Sequence, residues 1–419
     1  MNLIDKILER ENMGEALRRV VKNDGAAGVD GMKASELLDY CKAHWHDIRE
    51  RIKQGKYKPQ AVRRVEIRKE GGGVRLLGIP TVMDRMIQQA IHQVLSPMYE
   101  SEFSDHSFGF RAGRNQHQAL AVATSFVNEG FTWVVDMDME KFFDRVNHDY
   151  LLNLLSQRIE DKLVLKLIRA IVESGVMVGG VFTESDEGVP QGGPLSPLLS
   201  NILLDKLDKE LEARNLRFVR YADDCSIYVG SEKAGKRVLE SVTMFIEKRL
   251  KLKVNKEKSA VRRPSKFTVL GHSFYKTTGS WALRIAEKSY LKLKAKIREI
   301  TRKTRPYAMH TRIKKLNDLA VGWMNYFKLA DGRKKLEAID EWTRRRVRYC
   351  HWHDWKRVRT RIKELRKLGV SADKAFQWAC TRKGGWRIAA SPILQTTLNT
   401  NYFGQLGYRS LTQQRGNAR

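Results

Sequence analysis

The sequence predicts a mixed α+β fold whose last third is mostly helical, and three observations predict it. Short β-rich runs alternate with segments of helical apolar spacing up to about residue 280. Two of those runs carry paired carboxylates, Asp136 with Asp138 and Asp223 with Asp224. Beyond residue 280, Ile313, Leu316, Ala320, Trp323 and Phe327 fall on one helical stripe, and similar periodicity returns between Trp342 and Leu368.

Taken in order, residues 1–22 space Leu3, Ile7, Ala16, Leu17 and Val20 as a helix that stops at the turn-rich stretch Asn23 to Gly28, a flexible loop. From Arg63 the alternation of Val65 and Ile67 with Arg64, Glu66 and Arg68 predicts a strand. Gly71, Gly72 and Gly73 turn it into a second strand with Arg75, Leu76, Leu77 and Ile79, a basic hairpin. Val82 to Tyr99 has helical spacing. Thr132 to Asp138 is a strand that delivers acidic residues into a loop, and Leu151 to Gly175 is helical. Arg217 to Tyr228 predicts two strands around the tight turn Ala222-Asp223-Asp224.

With 419 residues and 42% apolar content the chain can build one large core with smaller appendages. Lys and Arg number 78 against 48 Asp and Glu, a net charge of +30 that suits a polyphosphate partner; a merely dispersed charge, as on ribosomal or membrane-surface proteins, is the alternative. Between Glu341 and Leu368, 11 basic residues face 3 acidic ones, interleaved with Trp342, Tyr349, Trp352 and Trp355. That is the footprint of a helix laid on phosphates, or of a solvated basic face whose tryptophans serve the core. The four cysteines form no C-x-x-C pair, so neither a disulfide framework nor a zinc ribbon is expected. No apolar stretch reaches 18 residues and the first thirty lack a signal-peptide core, so a cytoplasmic location is expected.

Adjacent carboxylates on a tight turn repel each other unless water or a divalent cation neutralises them. Asp136 and Asp138 lie on the same side of their strand, about 6–7 Å apart. Phosphoryl transfer by two metals needs carboxylates from separate strands around ions roughly 3.5–4 Å apart, which Asp138 with Asp223 can supply. Asp136 is either a further ligand or a paired, supporting carboxylate; the latter is the expectation.

Three motifs in order, V-D-M-D-M-E-K-F-F-D at 135–144, P-Q-G-G-P-L-S-P at 190–197 and Y-A-D-D at 221–224, resemble the reverse transcriptase palm of group II introns. The resemblance extends back through residues 23–31 and Ser107-Phe108-Gly109-Phe110-Arg111. It extends forward through residues 251–259 and through Gly322-Trp323-Met324-Asn325-Tyr326-Phe327, the last similar to the maturase thumb. Among intron classes the chain looks most like the compact bacterial group IIC type without an endonuclease domain, since neither C-x-x-C pairs nor a His-Asn-His cluster follows residue 370.

The resemblance implies a right-hand polymerase, with fingers and a palm built on an antiparallel sheet, followed by an α-helical thumb and a small C-terminal DNA-binding domain. It divides the chain into an N-terminal extension and fingers (1–80), a fingers and palm core (81–278), a helical maturase thumb (279–355) and the DNA-binding domain (356–419). It implies an RNA-directed DNA polymerase using two Mg2+ ions, with Mn2+ able to substitute. Asp138, Asp223 and Asp224 would be catalytic metal ligands, with the carbonyl of Met139 a further one. Phe143 would be a steric gate against the ribose 2′-hydroxyl, unless Phe142 faces the nucleotide instead.

Gln191 would touch the incoming nucleotide or cap the following helix, with the paired glycines letting backbone approach the base pair. Lys69 and Arg75 would hold the triphosphate, with Arg63, Arg64 and Arg68 as competitors, Arg68 standing where the family more usually has proline. Lys258 would stabilise or protonate pyrophosphate, or be a solvated helix-end lysine. Asn23, Gly25, Arg63, Arg111, Leu270 and Gly271 would contact template or primer, with His272 replacing a commoner aromatic in the primer-grip hairpin.

The implied partners are an RNA template, a DNA primer, dNTPs, intron RNA and target DNA, with no membrane and a monomeric protein. Besides copying RNA, the family assists splicing and retrohoming, and its N-terminal loop assists continuation onto a second template. A splicing-only maturase and a reverse transcriptase freed from its intron, acting in DNA repair or phage defence, are the alternatives.

Overall fold

The computed structural model describes residues 2–68, 74–178, 181–183 and 187–418, and the chain divides into two compact units, Met1–Pro264 and Ser265–Arg419. The first unit is mixed α and β. It opens with α1 (Leu3–Ile7), α2 (Arg10–Asn23) and α3 (Leu37–Lys53). The single helix expected over 1–22 is therefore broken at Leu8 and Glu9. The hairpin of β1 (Val62–Arg68) and β2 (Val74–Ile79) follows, antiparallel in a register that pairs Arg68 with Val74 and Arg63 with Ile79.

Next come α4 (Val82–Glu100), capped by the Thr81 hydroxyl accepting from the Asp84 N–H at 3.1 Å, α5 (Gln116–Asn128) and β3 (Trp133–Met137). The helix expected over 151–175 is two, α6 (His148–Ser156) and α7 (Lys162–Val172). Asp161 divides them: its Oδ1 caps α7 by accepting from Leu163 and Val164, while its Oδ2 accepts from the N–H of Ile4 at 2.8 Å. The strands β4 (Val176–Val178) and β5 (Val181–Thr183) extend the hairpin into a four-stranded sheet of order β2-β1-β4-β5, in which β1 and β4 are parallel.

The second sheet of this unit carries the acidic residues. Its strands β3, β6 (Arg217–Tyr221), β7 (Asp224–Val229) and β8 (Ala260–Arg262) lie in the order β6-β7-β3-β8, all antiparallel. Two helices belong with it, α8 (Ser196–Ala213), almost fully buried along Leu198, Leu199, Leu203, Leu204 and Leu207, and α9 (Glu232–Lys248). Val135, Phe218 and Ile227 from its strands join those leucines in one core.

The second unit begins ahead of a three-stranded antiparallel sheet, β9 (Thr268–Val269), β10 (His272–Lys276) and β11 (Trp281–Ile285). Long helices α10 (Glu287–Ile300), α11 (Met309–Tyr326) and α12 (Arg333–Asp354) follow, then α13 (Val358–Lys367), α14 (Ala372–Ala379), α15 (Gly385–Ile388), α16 (Pro392–Thr397), α17 (Thr400–Gln405) and α18 (Leu411–Ala418). The periodicity between 342 and 368 is split where α12 ends at Asp354. One apolar cluster runs from Ile285 through Trp352 and Leu365 to Leu411. The buried carboxylate of Asp340 ties the far end in by accepting from the N–H groups of Leu411 at 2.8 Å and Thr412 at 3.1 Å. Among the described residues no helix is long and apolar enough to cross a membrane.

Candidate active site

Strand register brings the carboxylates together. β3 and β7 pair Met137 with Cys225, so one further step along that register sets Asp138 opposite Asp224. β6 and β7 pair Tyr221 with Asp224, which leaves Ala222 and Asp223 as a two-residue turn, with Ala222 at φ +57°. A non-glycine residue in that left-handed region is strained and must be held there.

The electrostatics follow from this crowding. The surrounding protein and then the charges of Asp223, Asp138 and Asp136 lift the Asp224 carboxyl to about 6, against a smaller opposing effect of Lys258. Asp136 is a supporting carboxylate: it pairs with Arg262 at 2.8 Å, and burial lifts it to about 6, Arg262 lowering it and Asp138 raising it.

The segment 251–259 fixes Asp138. The Asn255 N–H donates to the Asp138 carbonyl at 2.8 Å, the Asp138 N–H donates to Ser259 Oγ at 3.0 Å, and the Glu140 N–H donates to the Lys253 carbonyl at 2.8 Å. Those bonds frame Met139 opposite Val254 without engaging the Met139 carbonyl. Lys258 stands on a turn rather than at a helix end, its ammonium 3.5 Å from Asp138 Oδ2. Asn255 and Ser259 are not among the residues that the sequence singles out in the segment 251–259, where Lys258 alone carries an expected role.

An all-oxygen set of mutually repelling carboxylates fits a hard divalent cation, because such an ion removes the repulsion that raises Asp224. Among the described residues no three His, Cys, Asp or Glu side chains form a ready-made metal cluster.

Both candidate gate rings are buried, in edge-on contact at 5.1 Å between centroids. Phe143, and not Phe142, lines a cavity of about 130 Å³ together with Gln191, Pro190, Gly78 and Arg64. Backbone bonds stitch its wall: Val189 donates to the Phe143 carbonyl at 2.7 Å, and Gly78 donates to the Gln191 carbonyl at 2.8 Å. The paired glycines also allow close contacts within the protein. A Cβ on Gly192 would lie 2.7 Å from the Gly78 carbonyl oxygen and one on Gly193 would lie 2.2 Å from Gln88 Oε1. Lys69 and the side chain of Arg75 lie outside the described residues, while Arg63 is half-buried on β1.

The expected template contacts divide. Asn23 is exposed at the end of α2, and the loop after it is anchored, because Arg85 donates to the Ala26 carbonyl at 2.8 Å and fills the space a Gly25 side chain would need. Arg111 cannot meet a phosphate as expected. Its side chain is 3% exposed and is consumed by the Glu100 carboxylate at 2.7 Å and by the carbonyls of Ser104 and Ser107. In the second unit Leu270 and Gly271 form a turn at φ +47° and +75°. The buried His272 beside it contacts the rings of Tyr326 and Phe327, so it offers no face to a primer base.

This geometry agrees with the comparisons. Residues 67–274 match the family described as reverse transcriptase (RNA-dependent DNA polymerase), and residues 290–369 match the group II intron, maturase-specific domain. The chain is 32% identical over 311 residues to Protein YkfC of Escherichia coli, covering 64% of this chain and 82% of that protein. It is 29% identical over 315 residues to the group II intron-encoded protein LtrA of Lactococcus lactis, covering 60% of this chain and 52% of that one. A putative COX1/OXI3 intron 2 protein of Saccharomyces cerevisiae is 28% identical over 269 residues, 50% of this chain and 31% of its own. The chain thus spans most of the first of these, about half of the second and a third of the last. A reverse transcriptase domain implies dependence on divalent metal and nucleic-acid partners, and with a maturase-specific domain joined to it, the chain belongs to the group II intron-encoded reverse transcriptases.

Proposed function

We propose that the protein is an RNA-directed DNA polymerase that copies RNA into DNA from dNTPs, and that it also binds intron RNA to assist splicing and retrohoming. The observation that supports this most is the strand register that sets Asp138 opposite Asp224, with Asp223 on the adjoining turn. In this reading Asp138, Asp223, Asp224 and the Met139 carbonyl hold two Mg2+ ions. When bound, these supply Lewis-acid activation of the primer 3′-hydroxyl and neutralise charge on the triphosphate.

The chain's own groups do the rest. Phe143 closes the space beside the sugar, so a 2′-hydroxyl collides with its ring. Gln191, on the turn bonded to β2, orients the nucleotide, while Lys69 and Arg75 take the triphosphate oxygens. Lys258, already beside Asp138, is within reach of the leaving pyrophosphate. Asn23, Gly25 and Arg63 track the template, and Leu270 and Gly271 present backbone to the primer. The division into extension and fingers, palm, maturase thumb and C-terminal DNA-binding region belongs to this proposal too.

Primer extension on a structured RNA template tests it. Wild type is expected to make cDNA with Mg2+, and Asp223→Ala to make none while retaining RNA affinity, since the carboxylate serves metal and the basic surface serves phosphate. Full extension by Asp223→Ala would overturn the site.

A further inference from the structure

Arg220 lies one residue before the Y-A-D-D motif and is fully buried, as is Asp208 on α8, which it grips through two parallel bonds: Nε to Oδ1 at 2.7 Å and Nη2 to Oδ2 at 2.5 Å. A buried ion pair of this kind is weak evidence for stability, because packed apolar side chains of the same volume often serve as well or better. What an apolar residue could not replace is the third nitrogen. Nη1 donates to the carbonyl of Ala222 at 2.9 Å and to Asn201 Oδ1 at 3.0 Å.

Ala222 is the strained, left-handed residue of the turn that presents Asp223. Rotation about its backbone would swing Asp223 and shift the start of β7, where Asp224 stands. Its carbonyl is held by Arg220. Gly109 also packs against the turn, so close that a Cβ there would lie 2.2 Å from the Ala222 nitrogen.

Gly109 belongs to the same frame. Asn201 Nδ2 donates to its carbonyl at 3.0 Å, and the strand backbone of Arg220 accepts from the Phe108 N–H and donates to the His106 carbonyl, both at 2.9 Å. Helix α8 and the carboxylate turn thus meet at one guanidinium, whose planar fork serves a carboxylate, an amide and a carbonyl at once, while the loop 106–109 is bound to the Arg220 backbone and to Asn201.

We infer that Arg220, oriented by Asp208 and Asn201, is a positioning residue that locks the Ala222-Asp223 turn and so sets the aim of Asp223 and Asp224. This rests on the polymerase reading above. A lysine in its place would keep the charge but could not span the carboxylate, the amide and the carbonyl together.

The test measures single-nucleotide extension by the full chain carrying Arg220→Lys or Asn201→Ala, over a series of dNTP and Mg2+ concentrations, alongside thermal melting and primer–template affinity. Arg220→Lys is expected to lower kcat by about 10²-fold, the scale of an ångström's misplacement, and to raise the Mg2+ concentration needed for half-maximal rate. The KM for dNTP and the primer–template affinity stay unchanged. Asn201→Ala moves the same two quantities by less. A folded variant that binds primer–template and keeps the wild-type kcat and Mg2+ dependence overturns the inference, and where Arg220→Lys does not fold, Asn201→Ala decides it alone. Wild-type protein that fails to extend would instead overturn the polymerase reading, and the inference with it.

Discussion

The carboxylate turn of the first unit and the basic helices of the second treat charge in opposite ways. Around Asp224 burial and then the crowded like charges of Asp223, Asp138 and Asp136 raise its carboxyl to about 6, with Lys258 opposing them only in part. In the second unit several arginines are instead engaged by the protein itself. Arg312 is buried and donates to the carbonyls of Ile300, Arg302 and Arg305, capping the end of α10 and the turn beyond it. Arg348 donates to the Leu398 carbonyl at 2.9 Å and lies over Phe403. Arg346 bonds Thr301 and faces the rings of Trp342 and Trp386, and Arg361 stacks on Trp352 at 4.4 Å. Concentrated charge of one sign marks chemistry in the first unit, whereas in the second the count of arginines overstates the surface offered to phosphate.

The comparison can be sharpened or broken by substitution. Phe143→Ala, in the first unit, should reduce discrimination against ribonucleotides by about 10²-fold, the range a single shape-selective pocket contact supplies. Competition between dNTP and rNTP in primer extension reads it, and unchanged discrimination would move the gate to Phe142.

The second unit should respond through stability. Burial, then Arg312, pushes the His351 imidazole down to about 4, partly opposed by Glu364. Its folded value lies below the unfolded one of 6.5, so the stability it confers is present above about pH 6.5 and is lost as pH falls towards 4. The loss would be at most about 3 kcal/mol. Denaturant melts between pH 7 and 4 should show that loss, and His351→Gln should flatten it; an equal acid loss in the variant would exclude His351 as the cause.

Arg348→Met should cost about 2 kcal/mol of unfolding free energy by leaving the Leu398 carbonyl unpaired in the interior. RNA affinity should be unaltered once the protein is folded. Arg359→Ala, on the exposed side of α13, is the smallest and the opposite case. Stability should hold, while the slope of log affinity against log salt falls by about one. If Arg348 changed the salt slope instead, the contrast between spent and available charge would fail.

Local pattern carried much of this. Strand alternation located β1, β3, β6 and β7, and the two acidic runs named Asp138, Asp223 and Asp224, because a strand's two-residue period and a tight turn are written in neighbouring residues. The break between α6 and α7 was hidden, since Asp161 earns its place by capping one helix while bonding Ile4, a residue 157 positions away. Arg111 looked like a phosphate ligand for a similar reason: nothing beside it in the chain announces Glu100 and the two carbonyls that absorb its guanidinium.

The sequence by itself determined the strands that carry the acidic residues, which residues carry negative charge at a turn, and the family they resemble. Only the tertiary structure decided which charges are free to act. The register that faces Asp138 to Asp224, the pairing of Asp136 with Arg262, and the burial of Arg220 against Ala222 all join residues distant in the chain. Whether a charged side chain meets solvent, a partner or a carbonyl depends on what folding brings beside it, and that is a property of the packed fold.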